Sequence, residues 1–327
     1  MLKYVIKRIL FMILTLSLTI VFVFTLLEFT PGDPAKIVLG QTANEEALEA
    51  IRIQLKLNDP YIVRLGRYFW NLLHGDFGNS YITRQPMAPA FMSRLPLTIR
   101  IAVFGMLLGT IVGLTAGTIS AVKQFSLADR ILTFISLFGN SAPSFWTAML
   151  FVLIFAVKLQ VLPATGSYTW KHWILPVTVI GLQASSGITR MTRSSVLEVI
   201  RQDYIRTARA KGQTELKVVI SHALRNAFIP ILTQLGSEFT GYLGGTVLVE
   251  SVFAIPGIGN YVLDAVKKMD TPVVLSGIVI ICAMGSIIIL VVDLLYAFID
   301  PRIKATYGFG VKRKKKAAPA KAEGGTK

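Results

Sequence analysis

Charge is scarce in this chain, and acidic charge is scarcer still. Of 327 residues only 16% are charged, against about 25% in an ordinary soluble domain. A water-facing surface along the whole length is therefore excluded, and the apolar residues are gathered in long runs that suit a polytopic membrane protein. The one cysteine, Cys282, lies inside such a run. That excludes an intrachain disulfide, and a zinc site would need ligands the chain lacks. His74, His172 and His222 are far apart and form no HExxH pair, so each reads as a surface or interfacial side chain. There is no Gly-Lys dipeptide and no GxSxG, hence no P-loop and no nucleophile elbow. Catalytic residues, a metal site and a bound cofactor are not expected in this chain.

What is present is basic. The 34 Lys and Arg outnumber the 18 Asp and Glu, for a net charge of +16. In a soluble protein this would suggest nucleic acid. Here the basic residues lie mainly between apolar runs and in the tail, which fits a membrane orientation signal and no nucleic-acid partner. The runs are 9–27, 97–122, 131–159, 174–191, 227–253 and 272–299, giving an all-α integral membrane fold with six spans. The first, of 19 residues, is long enough to cross at 1.5 Å per residue and has no A-x-A site after it, so it is expected to be retained. The fourth is diluted by Ser185, Ser186 and Gly187, and the fifth by Gln234, Glu238 and several glycines.

Residues 30–95 are mostly polar and read as a folded helical insert outside the membrane. In TANE, Thr42 fits an N-cap with Glu45 reaching back as a capping box. Asp59-Pro60 offers a second N-cap with proline at the first helical position, and GDFGNS, from Gly75 to Ser80, reads as a turn. The chain thus divides into an N-terminus and first span (1–29), the insert (30–95), a transmembrane core (96–304) with a cytoplasmic loop at 194–226, and a basic tail (305–327). Lys3, Lys7 and Arg8, then Lys123 and Arg130, then eight Lys and Arg between Arg190 and Arg225, then Lys312 to Lys316, all fall on one side of a six-span chain. That side is the cytoplasm, and both termini lie there. The tail reads as disordered, and it is either inert or binds anionic membrane lipid at about 1 kcal/mol per basic residue.

Within the spans, Gly105, Gly109, Gly113 and Gly117 recur every four residues and present a smooth stripe for helix packing. Pro143, after Asn140 and Ser141, is expected to kink the third span, whose freed carbonyls suit a helix lining protein or water. Glu238 and Asp293 are read as the acidic residues inside spans. Asp293 calls for a nearby Lys or Arg. Glu238 would cost about 2.5–3.5 kcal/mol facing lipid, so it should face a cavity or a partner. Gln234, Glu238, Asn140 and Ser141 are the candidates for a translocation path.

DYIRTARAKG, from Asp203 to Gly212, is a basic, helix-prone stretch on the cytoplasmic side. By composition it is either a solvated positive-inside loop or a handle for a soluble partner. YIRTARAKG followed by HALRNAFIP (His222 to Pro230) resembles the cytoplasmic "EAA" loop of type I ABC importer permeases. PGDP (Pro31 to Pro34), GDFGNS, RLPLT (Arg94 to Thr98), LGGTVLVESVFAIPGIG (Leu243 to Gly259) and DLLYAFIDPRI (Asp293 to Ile303) narrow the resemblance to the first permease subunit of the dipeptide/oligopeptide/nickel family. It covers nearly the whole chain. Arg206-Thr207-Ala208 stands where the general pattern has Glu-Ala-Ala, and Gly212 matches its glycine.

The resemblance implies the permease subunit of an ATP-driven, binding-protein-dependent importer. It implies a homologous second permease, two ATP-binding subunits or domains that bind the ATP and Mg, an extracytoplasmic substrate-binding protein, and a prokaryotic cytoplasmic membrane. It implies that Tyr204, Arg206, Thr207, Ala208, Arg209, Ala210 and Gly212 form a coupling helix seated on an ATP-binding subunit, so that ATP-driven closure opens the spans outward and hydrolysis resets them. Dipeptides or oligopeptides are the expected cargo, with nickel chelates or oligosaccharides open as alternatives. A self-sufficient channel or an intramembrane enzyme is the rival of another class. The channel would not need the coupling loop, and a protease would need a Ser/His or Asp pair that is not evident.

Overall fold

The structure, a computed structural model, describes residues 2–30, 32–40 and 42–299; the basic tail lies outside them. Among the described residues the regular elements are helices, with a single isolated β-bridge between Asn79 and Pro86. Helix α1 (Leu2–Glu28) is apolar from Ile9 to Leu27 apart from Thr15, Ser17, Thr19 and Thr25. The insert follows as α2 (Pro34–Leu39), α3 (Glu45–Gln54) and α4 (Tyr61–Leu73).

Asp33 caps α2 by accepting the Ala35 N–H, with Pro34 in the first turn. The cap of α3 is Asn44, whose side chain accepts from Ala47 N at 2.9 Å, rather than Thr42. Glu45 does not reach back to the cap: Arg52 binds Glu45 at 2.7 Å, Glu49 at 3.1 Å and Asp33 at 2.6 Å, so Glu45 serves that cluster instead of a capping box. Pro60, not Asp59, precedes the first residue of α4, and Asp59 pairs with Arg67. Helix α4 lies against the first and last spans. Leu65, Tyr68, Phe69 and Leu72 pack on Ile20, Val23, Leu275 and Val279, and Tyr61 bonds Thr25 at 2.6 Å.

The core begins with α5 (Met87–Val122), which starts ten residues before the apolar run at Leu97. Helix α6 (Leu127–Ser141) is capped by Ser126. It is followed by α7 (Ser144–Phe151), which continues as a π-helical stretch, Val152–Lys158. The expected kink in the third span is a break of 104° between the two halves. Ala142 is extended, with ψ at 126°, because the ring of Pro143 crowds the α conformation of the residue before it.

Helix α8 (Lys171–Ile200) packs along α5. Then come α9 (Asp203–Ala210), the short α10 (Glu215–Lys217), a second π-helical stretch (Val218–Leu224) and α11 (Arg225–Val252). Finally α12 (Ile258–Lys267) leads to α13 (Thr271–Ile299). Among the described residues four segments are long and apolar enough to cross a membrane: Val5–Glu28, Met87–Val122, Glu215–Gly244 and Thr271–Leu295. The bent pair makes a fifth when its two halves are counted as one span. The remaining expected span, α8, has the length but is too polar, and most of its middle is enclosed by other helices: Gly181 and Ala184 through Thr189 are buried.

Candidate functional site

The glycine stripe sets the frame of the core. A Cβ on Gly105 would lie 2.5 Å from Ile180, one on Gly109 2.7 Å from Ala184 and 2.9 Å from the Gly181 carbonyl, and one on Gly113 2.6 Å from Ile188. On Gly117 it would meet the Thr189 carbonyl at 2.6 Å. All four glycines are buried, so α5 and α8 touch along four turns through their backbones.

Beyond one end of this frame, α9 is fastened by one face. Ile205 and Ala208 are buried in a cluster with Ala121, Val196, Val218 and Ala223. Tyr204, Arg206, Thr207, Arg209 and Ala210 remain exposed. Ala208, taken from the sequence as part of the partner-facing surface, therefore points into this chain's own core. Three residues apart on a helix, Ile205 and Ala208 share that inner face. Arg209 reaches Glu215 of α10 at 2.6 Å, and Arg206 lies 3.8 Å from Asp203. Burial is slight at Arg209, and the hydrogen bond to Glu215 holds its guanidinium above the usual arginine range. Gly212 ends the unit with φ of +75° and open space around it, a left-handed turn that costs other residues about 1–2 kcal/mol.

Two of the four path candidates, Gln234 and Glu238, lie against the middle of α8. Gln234 donates to Glu238 at 2.7 Å on α11, and both press against Gly187, which leaves no room for a Cβ. From the other side, Gly139 abuts Ser186, and Gln183 bonds the Ala142 carbonyl at 2.9 Å. Ser141 is exposed, and its hydroxyl donates to the Leu137 carbonyl at 2.9 Å. The Asn140 side chain lies outside the described residues. Below this level a cleft of about 570 Å³ opens between α6 and α8. It was not anticipated from the sequence, although its α8 wall repeats at helical spacing: 186, 189, 190, 193, 194, 197, 198, 201.

Two charged groups tie the ends of the spans. Asp293 pairs with Arg8 at 2.9 Å, the basic partner it called for. Arg193 of α8 binds Asp129 of α6 at 2.8 and 2.9 Å, and Ser120 of α5 donates to the same carboxylate. A third acidic residue inside a predicted span was overlooked. Glu250 is fully buried. It accepts from Thr98 at 2.7 Å and from Asn260 N at 2.9 Å, while the Thr98 hydroxyl accepts from Ile258 N at 2.9 Å. Gly257 and Gly259 close over its carboxylate. A negative group at the start of α12 suits that helix end. The signal was there to find, since a glutamate flanked by Val and Ser near a span end needs a buried partner as much as Glu238 does.

Residues 109–305 match the family of binding-protein-dependent transport system inner membrane components, and residues 1–102 match the N-terminal model for membrane components of the same systems. The chain belongs to this family: it is a multi-pass membrane permease component rather than a self-sufficient channel or an intramembrane enzyme. It is 40% identical over 304 residues to the glutathione transport system permease protein GsiC of Escherichia coli, covering 93% of this chain and 99% of that one. It is also 40% identical over 332 residues to the dipeptide transport system permease protein DppB of Alkalihalophilus pseudofirmus, covering 93% and 100%. Its fold is shared with a solved structure of the MetNI methionine ABC transporter in an inward-facing conformation (TM-score 0.54, 18% identity, 66% of this chain and 99% of that one).

Proposed function

We propose that this chain is one of two permease subunits of an ABC importer for small peptides, lines half of the path, and receives the force of ATP hydrolysis through α9. The observation that carries this is the geometry of α9. It is locked to the permease body through Ile205 and Ala208, yet it offers an exposed face of Tyr204, Arg206, Thr207 and Ala210. A force on that face is transmitted to Val196 of α8 and Ala223 below α11, because packed side chains do not yield. The names of the two relatives, one for dipeptides and one for glutathione, support small peptides as cargo.

The partners in this reading are a second permease, two ATP-binding subunits or domains that hold ATP and Mg, and an extracytoplasmic binding protein. Gln234 and Glu238 then face the path, and the segment at 140–141 borders it. Both termini and α9 are cytoplasmic, with the insert outside. Import of labelled di-alanine into proteoliposomes holding the full complex tests the function. It should require ATP inside the cytoplasmic compartment and the loaded binding protein outside, and uptake without either would refute it. Single cysteines in a Cys282→Ser background test the orientation. Labelling from outside is expected at Glu49→Cys and not at Arg201→Cys, and the reverse would overturn the topology.

A further inference from the structure

The cleft between α6 and α8 sets hydroxyl and charged groups into walls that are otherwise largely apolar, Leu137 and Leu197 among them. Thr133 and Ser136 line it from α6, and Ser186 and Thr189 from α8; Arg190, Arg193 and Arg201 follow one another down the same face of α8. A surface of this kind is costly against lipid. The wall from Ser186 to Arg201 covers about 22 Å at 1.5 Å per residue, far deeper than a headgroup layer. It begins beside Glu238, which touches Gly187, and ends at the cytoplasmic end of α8. Arg193 is committed to Asp129, which it grips with two bonds. Arg190 and Arg201 are exposed and stand in no ion pair among the described residues, and Glu198 is the acidic residue of the same wall.

We propose that this cleft is a carboxylate-binding stretch of the path on its way to the cytoplasm, with Arg190 and Arg201 as successive contacts for the C-terminal carboxylate of the peptide. The proposal rests on the peptide-importer reading. A guanidinium fork suits a carboxylate in a partly dehydrated groove, and two such forks about 16 Å apart along α8 let the anion be handed on rather than trapped. The Ser194 hydroxyl lies between them on the same wall, and Thr189 stands just before Arg190. Arg193 is a positioning residue here, holding α6 against α8 so that the cleft keeps its width.

The experiment compares import of di-alanine and its C-terminal amide by the reconstituted full complex, each at saturating binding by the binding protein. Arg190→Gln with Arg201→Gln should lower import of the free acid about tenfold and leave the rate for the amide as in wild type. The retained rate for the amide shows that the Gln pair still folds, and Arg190→Lys with Arg201→Lys, which keeps the charge, should retain most of the preference for the acid. Equal loss for acid and amide in the Gln pair would overturn the proposal. So would a defect seen only in vesicles containing phosphatidylglycerol and absent in pure phosphatidylcholine, because the arginines would then be holding a lipid phosphate. If wild type imports neither probe although the binding protein binds both, the peptide-importer reading itself fails, and this proposal falls with it.

Discussion

Two neighbouring substitutions on α9 should have opposite consequences. Ala208 is only 8% exposed and is surrounded by Ala121, Val196, Ile205, Val218 and Ala223. Ala208→Trp must therefore force an indole into this chain's own core, at about 1–3 kcal/mol for overpacking. A loss of about 2 kcal/mol lowers the folded-to-unfolded ratio roughly thirtyfold, in a protein whose whole stability is of the order of 5–15 kcal/mol. Thr207 is exposed, and its hydroxyl only returns to the Asp203 carbonyl at 3.1 Å. Thr207→Trp should change the stability of the isolated permease by no more than about 0.5 kcal/mol. At a packed partner interface, however, the same indole holds two surfaces apart and should cost about 2 kcal/mol or more of association. The assays are unfolding of the purified permease in denaturing detergent, and ATP hydrolysis by the full complex with and without loaded binding protein. Ala208→Trp should shift the unfolding midpoint. Thr207→Trp should leave it in place and abolish the stimulation. Full stimulation in Thr207→Trp would refute the outer face of α9 as the seat of an ATP-binding subunit. An unshifted midpoint in Ala208→Trp would refute the inward packing of that residue.

Three further outcomes follow from particular contacts. Gly109→Ala meets backbone at 2.9 Å and should destabilise by about 1–3 kcal/mol, whereas Gly244→Ala has nothing within 4 Å and should be neutral or gain up to about 1 kcal/mol of helix propensity; detergent unfolding that ranks them equally would contradict the backbone contact of α5 and α8. Glu250→Gln places an NH2 among N–H and O–H donors and should cost about 1–3 kcal/mol, with Glu250→Ala costing more, and protease cutting near α12 should rise in both; unchanged cutting would mean that Glu250 does not anchor that helix. In the insert, the hydrogen bond from Arg52 holds the Asp33 carboxyl below its usual range. Because the folded value is the lower one, this stabilisation is complete above the ordinary aspartate range and lost as pH falls through the folded value. The protection factors of amides across α2 and α3, taken relative to intrinsic exchange at each pH, should therefore fall in acid, and Arg52→Gln should lower them already at neutral pH; acid sensitivity that survives Arg52→Gln would rule out this pair as its source.

The parts of the fold that could be read from the chain are those with a strict period. Glycines at 105, 109, 113 and 117 can only form one stripe on a helix, and the structure lays that stripe on α8. Gly212 was legible as a left-handed helix end because few other residues accept φ near +75°. What was not legible depended on partners far away in sequence. Thr42 and Asn44 both suit an N-cap, and Glu45, which a capping box at Thr42 would need, is held instead by Arg52, seven residues on. The inward turn of Ala208 depends on Ala121 and Val218, from two other segments. Helix α8 read only as a diluted span because hydropathy averages over all faces, while its polar groups are divided between a buried seam and a cleft wall. That Glu250 needs a buried partner follows from its place in a span, but the identity of that partner was not legible, because Thr98 sits 152 residues away.

The break at Pro143 has a consequence for how the chain enters the membrane. Its two halves, Leu127–Gly139 and Ser144–Lys158, rise about 20 Å and 22 Å, and neither reaches across a hydrocarbon layer of about 30 Å. Neither half can settle alone as it leaves the insertion machinery. The first must lean on α5, already made, and both on α8, not yet made, which caps the open Ala142 carbonyl through Gln183. The third crossing is therefore completed out of order, after synthesis has passed residue 183, and a chain halted before that point should leave it outside the bilayer, exposed to quality-control proteases.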